Sequence, residues 1–237
     1  MRRLLSRGCV AAMTWMLAFA AAGNARAADP VGDETFEGTY NCLKPTDAAD
    51  TAPILCQSQI NPGLPSFDFA LVWHSDKASG DRVLDRIDIR RAGDTAPFET
   101  LTGMTSSLPA AIANNGFEVL DLNFDGFLDL RVMRAAPAGE NMVYQNWLWS
   151  NDDGKFVAAP GLDGIVSPKF DADDQEIVSQ VTNGGTRTTD VYAFDGIAAG
   201  LIHREVDRTT AAGCQRTFYD RVEDELRKTG TGACKDE

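Results

Sequence analysis

Residues 67–73 read Phe-Asp-Phe-Ala-Leu-Val-Trp, and residues 83–90 read Val-Leu-Asp-Arg-Ile-Asp-Ile-Arg. The first stretch is a short apolar run rich in aromatic residues, and the second alternates apolar and polar residues with a period near two. Both patterns are typical of β-strands, and turn-forming residues follow each stretch, at 79–81 and 92–94. Similar segments recur along the rest of the chain, so the sequence predicts an all-β antiparallel domain over residues 66–237.

An aromatic strand, an Asp-Gly turn and a returning strand occur twice, at residues 147–156 and again from residue 192. Their spacing of about 40 residues is found in β-propeller blades, although ordinary hairpins with Asp-Gly turns explain two copies equally well. Propeller-like and sandwich-like architectures therefore both stay open. Residues 107–115, with a proline near their start, predict one short helix. Residues 219–228 fit a helix or a strand, and residues 28–65 predict an irregular N-terminal extension.

The first 27 residues have the features of an export signal. Three arginines occur among the first seven residues, an apolar stretch covers residues 10–22, and small residues flank Arg26 in Ala25-Arg26-Ala27. We expect cleavage near Ala27, because the apolar stretch is shorter than the roughly 20 residues that span a bilayer. A permanent N-terminal anchor is the alternative. The signal predicts a periplasmic protein with no membrane segment after cleavage.

The charge of the predicted mature chain is strongly negative. Removing residues 1–27 takes away four arginines and no acidic residue, which leaves 18 Lys and Arg against 35 Asp and Glu, a formal charge of −17. This balance argues against nucleic-acid binding, because Lys and Arg supply the affinity for phosphates. It favours a basic partner through complementary electrostatics, although acidity also serves solubility alone.

Four cysteines follow the predicted signal. An even number in an exported protein predicts disulfides, and four cysteines allow three connectivities. We expect the two local pairings, each of which closes a short loop near one end of the domain. A zinc site is the alternative, but no two cysteines are closely spaced and only two histidines could join them. The expected disulfides are Cys42–Cys56 and Cys214–Cys234, and the two histidines are His74 and His203.

The sharpest chemical pattern is the loop over residues 121–129, Asp-Leu-Asn-Phe-Asp-Gly-Phe-Leu-Asp. Oxygen-bearing side chains at positions 1, 3 and 5, a glycine at position 6 and an acid at position 9 match what Ca²⁺ prefers, namely six to eight oxygen ligands. Val132 stands where an EF-hand has its closing glutamate, and the flanking segments resemble strands. The pattern predicts one structural calcium ion, with an acidic turn that binds no metal as the alternative. The predicted ligands are Asp121, Asn123, Asp125, the carbonyl of Phe127, and Asp129.

Signatures of catalysis are scarce in the sequence. It contains no Gly-x-Ser-x-Gly elbow, no phosphate-binding glycine loop and no His-Glu-x-x-His helix. His74 and His203 lie in strand-like segments, where an ordinary hydrogen-bonded histidine is the simpler interpretation. Pairs of acids could perform glycoside hydrolysis, but 35 acidic residues make such pairs uninformative. The sequence therefore predicts a binding protein, with an exported hydrolase as a further alternative.

Three segments together resemble a known family. Residues 116–130, residues 146–157 and the hairpin of residues 177–196 resemble small exported β-propeller-like proteins of Gram-negative bacteria that carry a single calcium loop. The resemblance extends over roughly residues 67–207. That family includes periplasmic immunity proteins that inhibit lysozyme-like peptidoglycan hydrolases, and its fold is similar to that of periplasmic lysozyme inhibitors.

The resemblance implies inhibition by a loop that enters the cleft of the hydrolase and donates hydrogen bonds to its catalytic carboxylates. Related inhibitors carry a serine-glycine and tyrosine tip, whereas Thr186-Arg187-Thr188 stands where the tyrosine is expected here. An Asn-Gly turn without such a role is the alternative, as is a structural or adhesion module that binds calcium and inhibits nothing. The candidate partner-binding residues are Thr182, Asn183, Gly184, Gly185, Thr186, Arg187 and Tyr192.

Overall fold

The structure, a computed structural model, describes residues 40–43, 52–135, 141–195, 198–211 and 213–234. All of these residues belong to one compact unit that covers residues 35–237. Their strands form three antiparallel sheets, which confirms the all-β prediction. The predicted signal sequence lies outside the described residues. Within those ranges no helix is long and apolar enough to cross a membrane.

The first sheet has six strands in the order β1-β2-β3-β4-β5, and β6 also pairs with β4. Its central strands, β3 and β4, cover the two stretches that the sequence pattern singled out. Bulky apolar side chains on one face of β3 and β4 are fully buried, as the alternating pattern requires. The strands are β1 (Asn41–Leu43), β2 (Ile54–Ser58), β3 (Phe67–Ser75), β4 (Arg82–Arg91), β5 (Glu99–Leu101) and β6 (Ser107–Leu108).

The second sheet has four strands in the order β10-β9-β8-β7, and every residue of β8 is buried. A four-residue helix, α1 (Pro160–Asp163), follows the sheet and begins with proline at its first position, where no N–H is needed. The strands are β7 (Glu118–Leu120), β8 (Asp129–Met133), β9 (Tyr144–Ser150) and β10 (Lys155–Ala158).

The third sheet has six strands that pair in strict chain order as a meander. Strands β14 and β15 are 12 and 10 residues long, and a bulge lies within the β15–β16 pair at Phe218/Tyr219. The strands are β11 (Pro168–Asp171), β12 (Glu176–Asn183), β13 (Thr186–Phe194), β14 (Ala199–Thr210), β15 (Gly213–Val222) and β16 (Glu225–Ala233).

An aromatic core joins the first and second sheets. Phe67 of β3 lies 5.5 Å from Trp149 of β9 between ring centroids, and Trp149 lies 5.1 Å from Phe156 of β10. Phe69 and Phe117 meet at 5.4 Å. A second, smaller cluster joins the second sheet to the beginning of the third, and its buried members are Leu122, Leu162, Ile165 and Ile177. Apolar burial therefore links all three sheets.

Two sequence predictions of local structure are wrong. Residues 41–43 and 54–58 form strands of the first sheet, although residues 28–65 were predicted to be irregular. The helix predicted over residues 107–115 is instead a short strand, β6, followed by a 3-10 turn at Ala113–Gly116. The fully buried Leu108 explains the strand, because tertiary packing overrides a weak helical preference. Residues 219–228, left open between helix and strand, belong to β15 and β16.

Both predicted disulfides are present. Cys42 and Cys56 face each other directly in the β1–β2 pair, and Cys214 of β15 is bonded to Cys234 just beyond β16. These bonds exclude the alternative of a zinc site built on the same sulfurs. The first Asp-Gly pair lies in the β9–β10 turn of the second sheet, whereas Asp195 of the second pair follows β13 of the third sheet. The two aromatic segments are therefore not copies within one sheet.

Candidate metal loop and binding hairpin

The loop between β7 and β8 wraps around the carboxylate of Asp121. One oxygen of Asp121 accepts hydrogen bonds from the N–H groups of Phe124 at 2.6 Å and Asp125 at 3.3 Å, and the other accepts from Gly126 at 2.9 Å. Phe124 and Gly126 have φ angles of 63° and 83°, in the left-handed region that glycine adopts freely. These conformations allow three successive N–H groups to point inward at one carboxylate.

Asn123 and Asp125 form a second set of contacts inside the loop. The Asn123 amide donates to Oδ2 of Asp125 at 2.9 Å, and the N–H of Phe127 donates to Oδ1 of Asp125 at 2.8 Å. The ring of Phe127 packs against the aromatic core. The ring of Phe127 therefore anchors the loop to the core, while a hydrogen bond holds the side chains of Asn123 and Asp125 together.

Asp129 closes the loop and is the most deeply buried carboxylate among the described residues. Its Oδ2 accepts the N–H of Leu122, and its Oδ1 accepts the N–H of Trp149 in β9, both at 2.8 Å. Each carboxylate oxygen retains a further lone pair after accepting one hydrogen bond. Asp129 consequently ties the two ends of the loop to each other and to the neighbouring strand.

The electrostatics of the loop indicate an unfavourable concentration of negative charge. Burial raises the pKa of Asp129 well above its ordinary value, and the carboxylates of Asp125 and Asp121 raise it further. Burial and the carboxylate of Asp125 likewise raise the pKa of Asp121. A bound cation would relieve both effects, and carboxylate and amide oxygens are the donors that Ca²⁺ prefers. In this arrangement of the described residues, however, no three acidic, His or Cys side chains converge on one point.

Sequence reasoning missed one residue that supports this loop. The Asn61 amide, in the connection between β2 and β3, donates to the carbonyl of Gly126 at 3.0 Å. The N–H of Leu128 also donates to the carbonyl of Ile60 at 2.8 Å. Asn61 and Gly126 lie 65 residues apart in sequence, so no spacing pattern could have indicated this contact.

The predicted binding residues lie on the hairpin of β12 and β13. Thr182, Asn183, Gly184 and Gly185 are all exposed, and the two glycines form the turn. Gly184 has a φ of 59°, as a tight hairpin turn requires. The carbonyl of Gly185 accepts the N–H of Thr209, the second-last residue of β14, at 2.9 Å. The turn is therefore braced against the adjoining strand rather than extended alone into solvent.

Arg187 points into a network within the third sheet. Its guanidinium donates to Asp207 at 2.9 Å, and Arg216 donates to the same carboxylate through Nε and Nη2 at 2.6 and 2.8 Å. Arg216 also pairs with Glu205 at 2.9 Å. The guanidinium of Arg187 therefore already engages Asp207, and its presentation to a partner stays a prediction.

Tyr192 does not lie at the tip of the hairpin. It faces Ile177 of β12 at the opposite end of the strand pair and packs against the smaller apolar cluster. Its hydroxyl donates to Asp190 at 3.4 Å, and burial together with that carboxylate raises the pKa of Tyr192. The structure thus brings residues 182–187 together but separates Tyr192 from them.

Both histidines lie on strands, and each is paired with an aspartate. His74 of β3 contacts Asp85 at 2.8 Å, and His203 of β14 contacts Asp220 of β15 at 2.6 Å. The second oxygen of Asp220 accepts a hydrogen bond from Thr229, so this hydroxyl is oriented toward the carboxylate and not toward the imidazole. The other ring nitrogen of His203, Nε2, lies 3.5 Å from the carboxylate of Glu205.

No protein-family model matches the chain, and no curated protein matches it. Among solved structures the chain is similar to a Xanthomonas protein described as related to a type IV secretion system. The two superpose with a TM-score of 0.55 at 15% sequence identity, over 81% of this chain and 99% of that chain. A likeness at this identity shows a common fold alone.

A second solved structure, a protein of unknown function from Bacteroides fragilis, aligns with a TM-score of 0.26 at 7% identity. That alignment covers 69% of this chain and 91% of the other, and its score is too low to support any argument. The shared fold with the Xanthomonas protein is thus the relationship that these comparisons establish.

Proposed function

We propose that this chain is an exported binding protein that inhibits a lysozyme-like peptidoglycan hydrolase, and that one calcium ion stabilises it. The observation that carries the proposal is the β12–β13 tip. Four consecutive exposed residues, 182–185, stand on a turn whose base is held by the Gly185–Thr209 hydrogen bond and the Arg187–Asp207 ion pair. A tip ordered before binding loses little conformational entropy when it enters a cleft.

The chemistry of this tip suits an acidic cleft. Exposed backbone N–H groups at the glycines and the Asn183 amide are neutral donors that could satisfy a pair of catalytic carboxylates. Arg187 would act at the base of the tip. Its pairing with Asp207 orients the base of the tip, and the donors offered to the hydrolase come from residues 182–185.

Charge and redox chemistry support the same assignment. A chain with 35 acidic residues against 22 basic ones attracts a basic enzyme, and enzymes that act on anionic cell walls are often basic. Disulfides persist in oxidising compartments, which agrees with a periplasmic or extracellular location. The similar Xanthomonas protein is described as related to secretion, which is compatible with a role beside an exported effector.

Calcium would serve as a structural ion in the β7–β8 loop. Side-chain oxygens of Asp121, Asn123, Asp125 and Asp129, with the Phe127 carbonyl, would supply its ligands. When bound, the ion would neutralise the carboxylates whose mutual repulsion and burial raise the pKa values of Asp121 and Asp129. We expect no catalytic role for it, because these ligands belong to one loop and serve to close it.

A cell-wall lysis assay tests the inhibitor proposal. The chain without residues 1–27 is mixed with lysozyme, and with any peptidoglycan hydrolase that a neighbouring gene encodes, and the fall in turbidity is followed in calcium and in chelator. We expect stoichiometric inhibition that is stronger with calcium. The variant Thr182→Glu should lose at least about tenfold in affinity, because a carboxylate at the tip repels the catalytic carboxylates.

The matched control is Thr95→Glu, the same change at an exposed position in the turn before β5. It should inhibit as well as the unmodified chain. Equal inhibition by both variants would show that the tip is not the inhibitory element. Absence of inhibition by a folded, calcium-loaded protein would favour the structural or adhesion module, and hydrolysis of the wall by the protein itself would favour an enzyme.

A further inference from the structure

The dipeptide Asn183-Gly184 lies at the tip of the β12–β13 hairpin, and an asparagine followed by glycine is chemically labile. The backbone nitrogen of the glycine can attack the side-chain carbonyl carbon of the asparagine, and glycine hinders this attack least because it has no Cβ atom. The chain contains the dipeptide twice, at residues 115–116 and at residues 183–184. The fold places the two copies in different surroundings.

The turn leaves the attacking nitrogen of Gly184 outside the strand ladder. Asn183 pairs with Thr186, so Gly184 and Gly185 form a two-residue turn. Gly184 has a φ of 59° and Gly185 lies outside the left-handed region, as in a type II′ turn. Among the described residues none accepts the N–H of Gly184, and none bonds to the Asn183 amide. Neither reacting group is therefore held by a hydrogen bond to that part of the chain.

The surroundings of the tip leave room for the ring that this reaction forms. Asn183 and Gly184 are exposed, and a Cβ atom placed on Gly184 would meet no atom within 4 Å. Asn183 belongs to the last pair of the β12–β13 ladder, and the ends of such elements open at the lowest cost. The backbone rotation that brings the two reacting atoms together therefore requires only one terminal pair to open.

The other copy of the dipeptide lies in a packed turn. Residues 115 and 116 belong to the 3-10 turn Ala113–Gly116, and the N–H of Phe117 donates to the carbonyl of Asn114 at 2.9 Å. A Cβ atom on Gly116 would stand 2.6 Å from Cβ of Met133, a buried residue of β8. Backbone rotation at this turn meets β8, so the copy at residues 115–116 should react slowly in the folded chain.

We propose that Asn183 is a site of spontaneous deamidation, through which the tip of the hairpin gains a negative charge. The backbone nitrogen of Gly184 loses its proton and forms a bond with Cγ of Asn183. The bond between Cγ and Nδ2 breaks, and Nδ2 leaves as ammonia after taking up a proton. Water then opens the resulting succinimide at either carbonyl, which gives aspartate or isoaspartate at position 183. Water is the only co-reactant, and nothing is oxidised or reduced.

The products change the chemistry of the tip in two ways. Aspartate replaces a neutral amide donor with a carboxylate, and isoaspartate in addition inserts a methylene group into the main chain. Only the consequence for inhibition rests on the proposed function. Either product would present a negative charge to an acidic cleft and weaken inhibition. The modification would then limit the time for which one molecule stays active.

Peptide mass spectrometry of the folded chain without residues 1–27, incubated in water labelled with heavy oxygen, tests the site. Trypsin releases residues 170–187 as a peptide whose single asparagine is Asn183. This peptide should gain the mass of one labelled carboxylate, and faster at higher pH because the attacking nitrogen must lose its proton. We expect Asn183 to react at least about tenfold faster than Asn115 in the folded chain, since protection follows the cost of local opening.

Two controls separate the effect of the fold from that of the dipeptide. In urea the two asparagines should react at rates within about threefold of each other, because the unfolded chain no longer distinguishes them. Asn183→Gln should abolish the mass gain in the peptide, because the longer side chain would have to close a larger, less favourable ring. Equal rates at Asn183 and Asn115 in the folded chain would overturn the proposal, as would a peptide that gains no label.

The lysis assay remains a separate measurement. A chain that deamidates at Asn183 but inhibits no hydrolase would support this inference and contradict the proposed function. A chain that inhibits a hydrolase through its tip but gains no label would do the reverse.

Discussion

Asp129 connects three parts of the molecule through two oxygen atoms. It accepts N–H groups from Leu122, at the start of the loop, and from Trp149, whose ring lies in the aromatic core. These two hydrogen bonds close the loop, and the carboxylates gathered in it carry an electrostatic cost. Asp125, at the exposed side of the loop, contributes to that cost without contacting β9.

Replacing Asp125 with alanine tests whether this loop holds calcium. We expect the variant to melt at a lower temperature than the unmodified chain when calcium is present, because a ligand is lost. In chelator the difference should shrink to little or nothing, because no ion then distinguishes the two proteins. Thermal melts followed by circular dichroism, with and without added calcium, provide the measurement.

Asp152→Ala is the matched control, since Asp152 is an exposed acid in the β9–β10 turn. Its melting temperature should respond to calcium as that of the unmodified chain does. Equal stabilisation of the Asp125→Ala protein by calcium would contradict the assignment of the loop.

Asp207 is the central anion of the third sheet. The guanidinium of Arg216, and after it that of Arg187, holds the pKa of Asp207 below its ordinary value. A lowered pKa means that the ionised side chain stabilises the fold at pH values above the unfolded-state pKa of about 3.9. That contribution is lost as the pH falls through the lower, folded-state pKa.

Replacing Asp207 with asparagine should therefore lower the free energy of unfolding by about 2 kcal/mol at pH 7. The difference from the unmodified chain should diminish below about pH 4, where the carboxylate of the unfolded chain is already protonated. Urea unfolding at several pH values measures it. Asp94→Asn, an exposed position in the turn after β4, should have little effect throughout, and a pH-independent loss in Asp207→Asn would contradict the ion-pair explanation.

Strands β14, β15 and β16 form an element with very little apolar burial. Among their described residues only Asp207 is buried, and it is charged. Antiparallel strands without a hydrophobic face are marginally stable on their own. Ion pairs across the strands and the Cys214–Cys234 disulfide therefore carry much of the stability that apolar packing supplies elsewhere.

Removing the disulfide by Cys214→Ser and Cys234→Ser should destabilise this element by about 3 kcal/mol, because the unfolded chain regains the freedom of a 20-residue loop. Hydrogen exchange should show faster exchange in β15 and β16 than in β3 and β4, which retain their buried core. Uniform loss of protection across all three sheets would instead show that the bond stabilises the molecule as one unit.

The whole molecule depends on aromatic side chains that several strands contribute. Phe67 contacts Phe69 of its own strand, Phe98 next to β5, and Trp149 and Phe156 of the second sheet. It is fully buried. Removal of the Phe67 ring leaves a cavity that two sheets share, so the resulting loss of stability affects both sheets.

We expect Phe67→Ala to lower the free energy of unfolding by about 3–5 kcal/mol. Urea unfolding monitored by tryptophan fluorescence and by far-ultraviolet circular dichroism should show the same midpoint for both signals, since the two sheets share one core. Leu43→Ala provides the control, because that side chain is exposed and should change stability by no more than about 0.5 kcal/mol. Two separated transitions would contradict a single shared core.

The sequence alone determined the strand character, the disulfide pairs and the nine-residue acidic loop, because each depends on local information. The period-two alternation of residues 83–90 indicates a strand with one buried face. The disulfide pairs follow from cysteines that lie near each other along the chain. The prediction failed at residues 107–108, where the preference of a short segment was overruled by burial of Leu108 in a core assembled from distant strands.

Tertiary structure alone decided which groups remain available for binding. Arg187 reads in the sequence as a free cation at a hairpin tip, and only the pairing of β13 with β14 places it against Asp207. Asn61 reaches Gly126 across 65 residues, and only the pairing of Asn183 with Thr186 leaves the N–H of Gly184 outside the strand ladder. Such contacts join residues far apart in the chain, and their energies depend on distances that local sequence patterns do not encode.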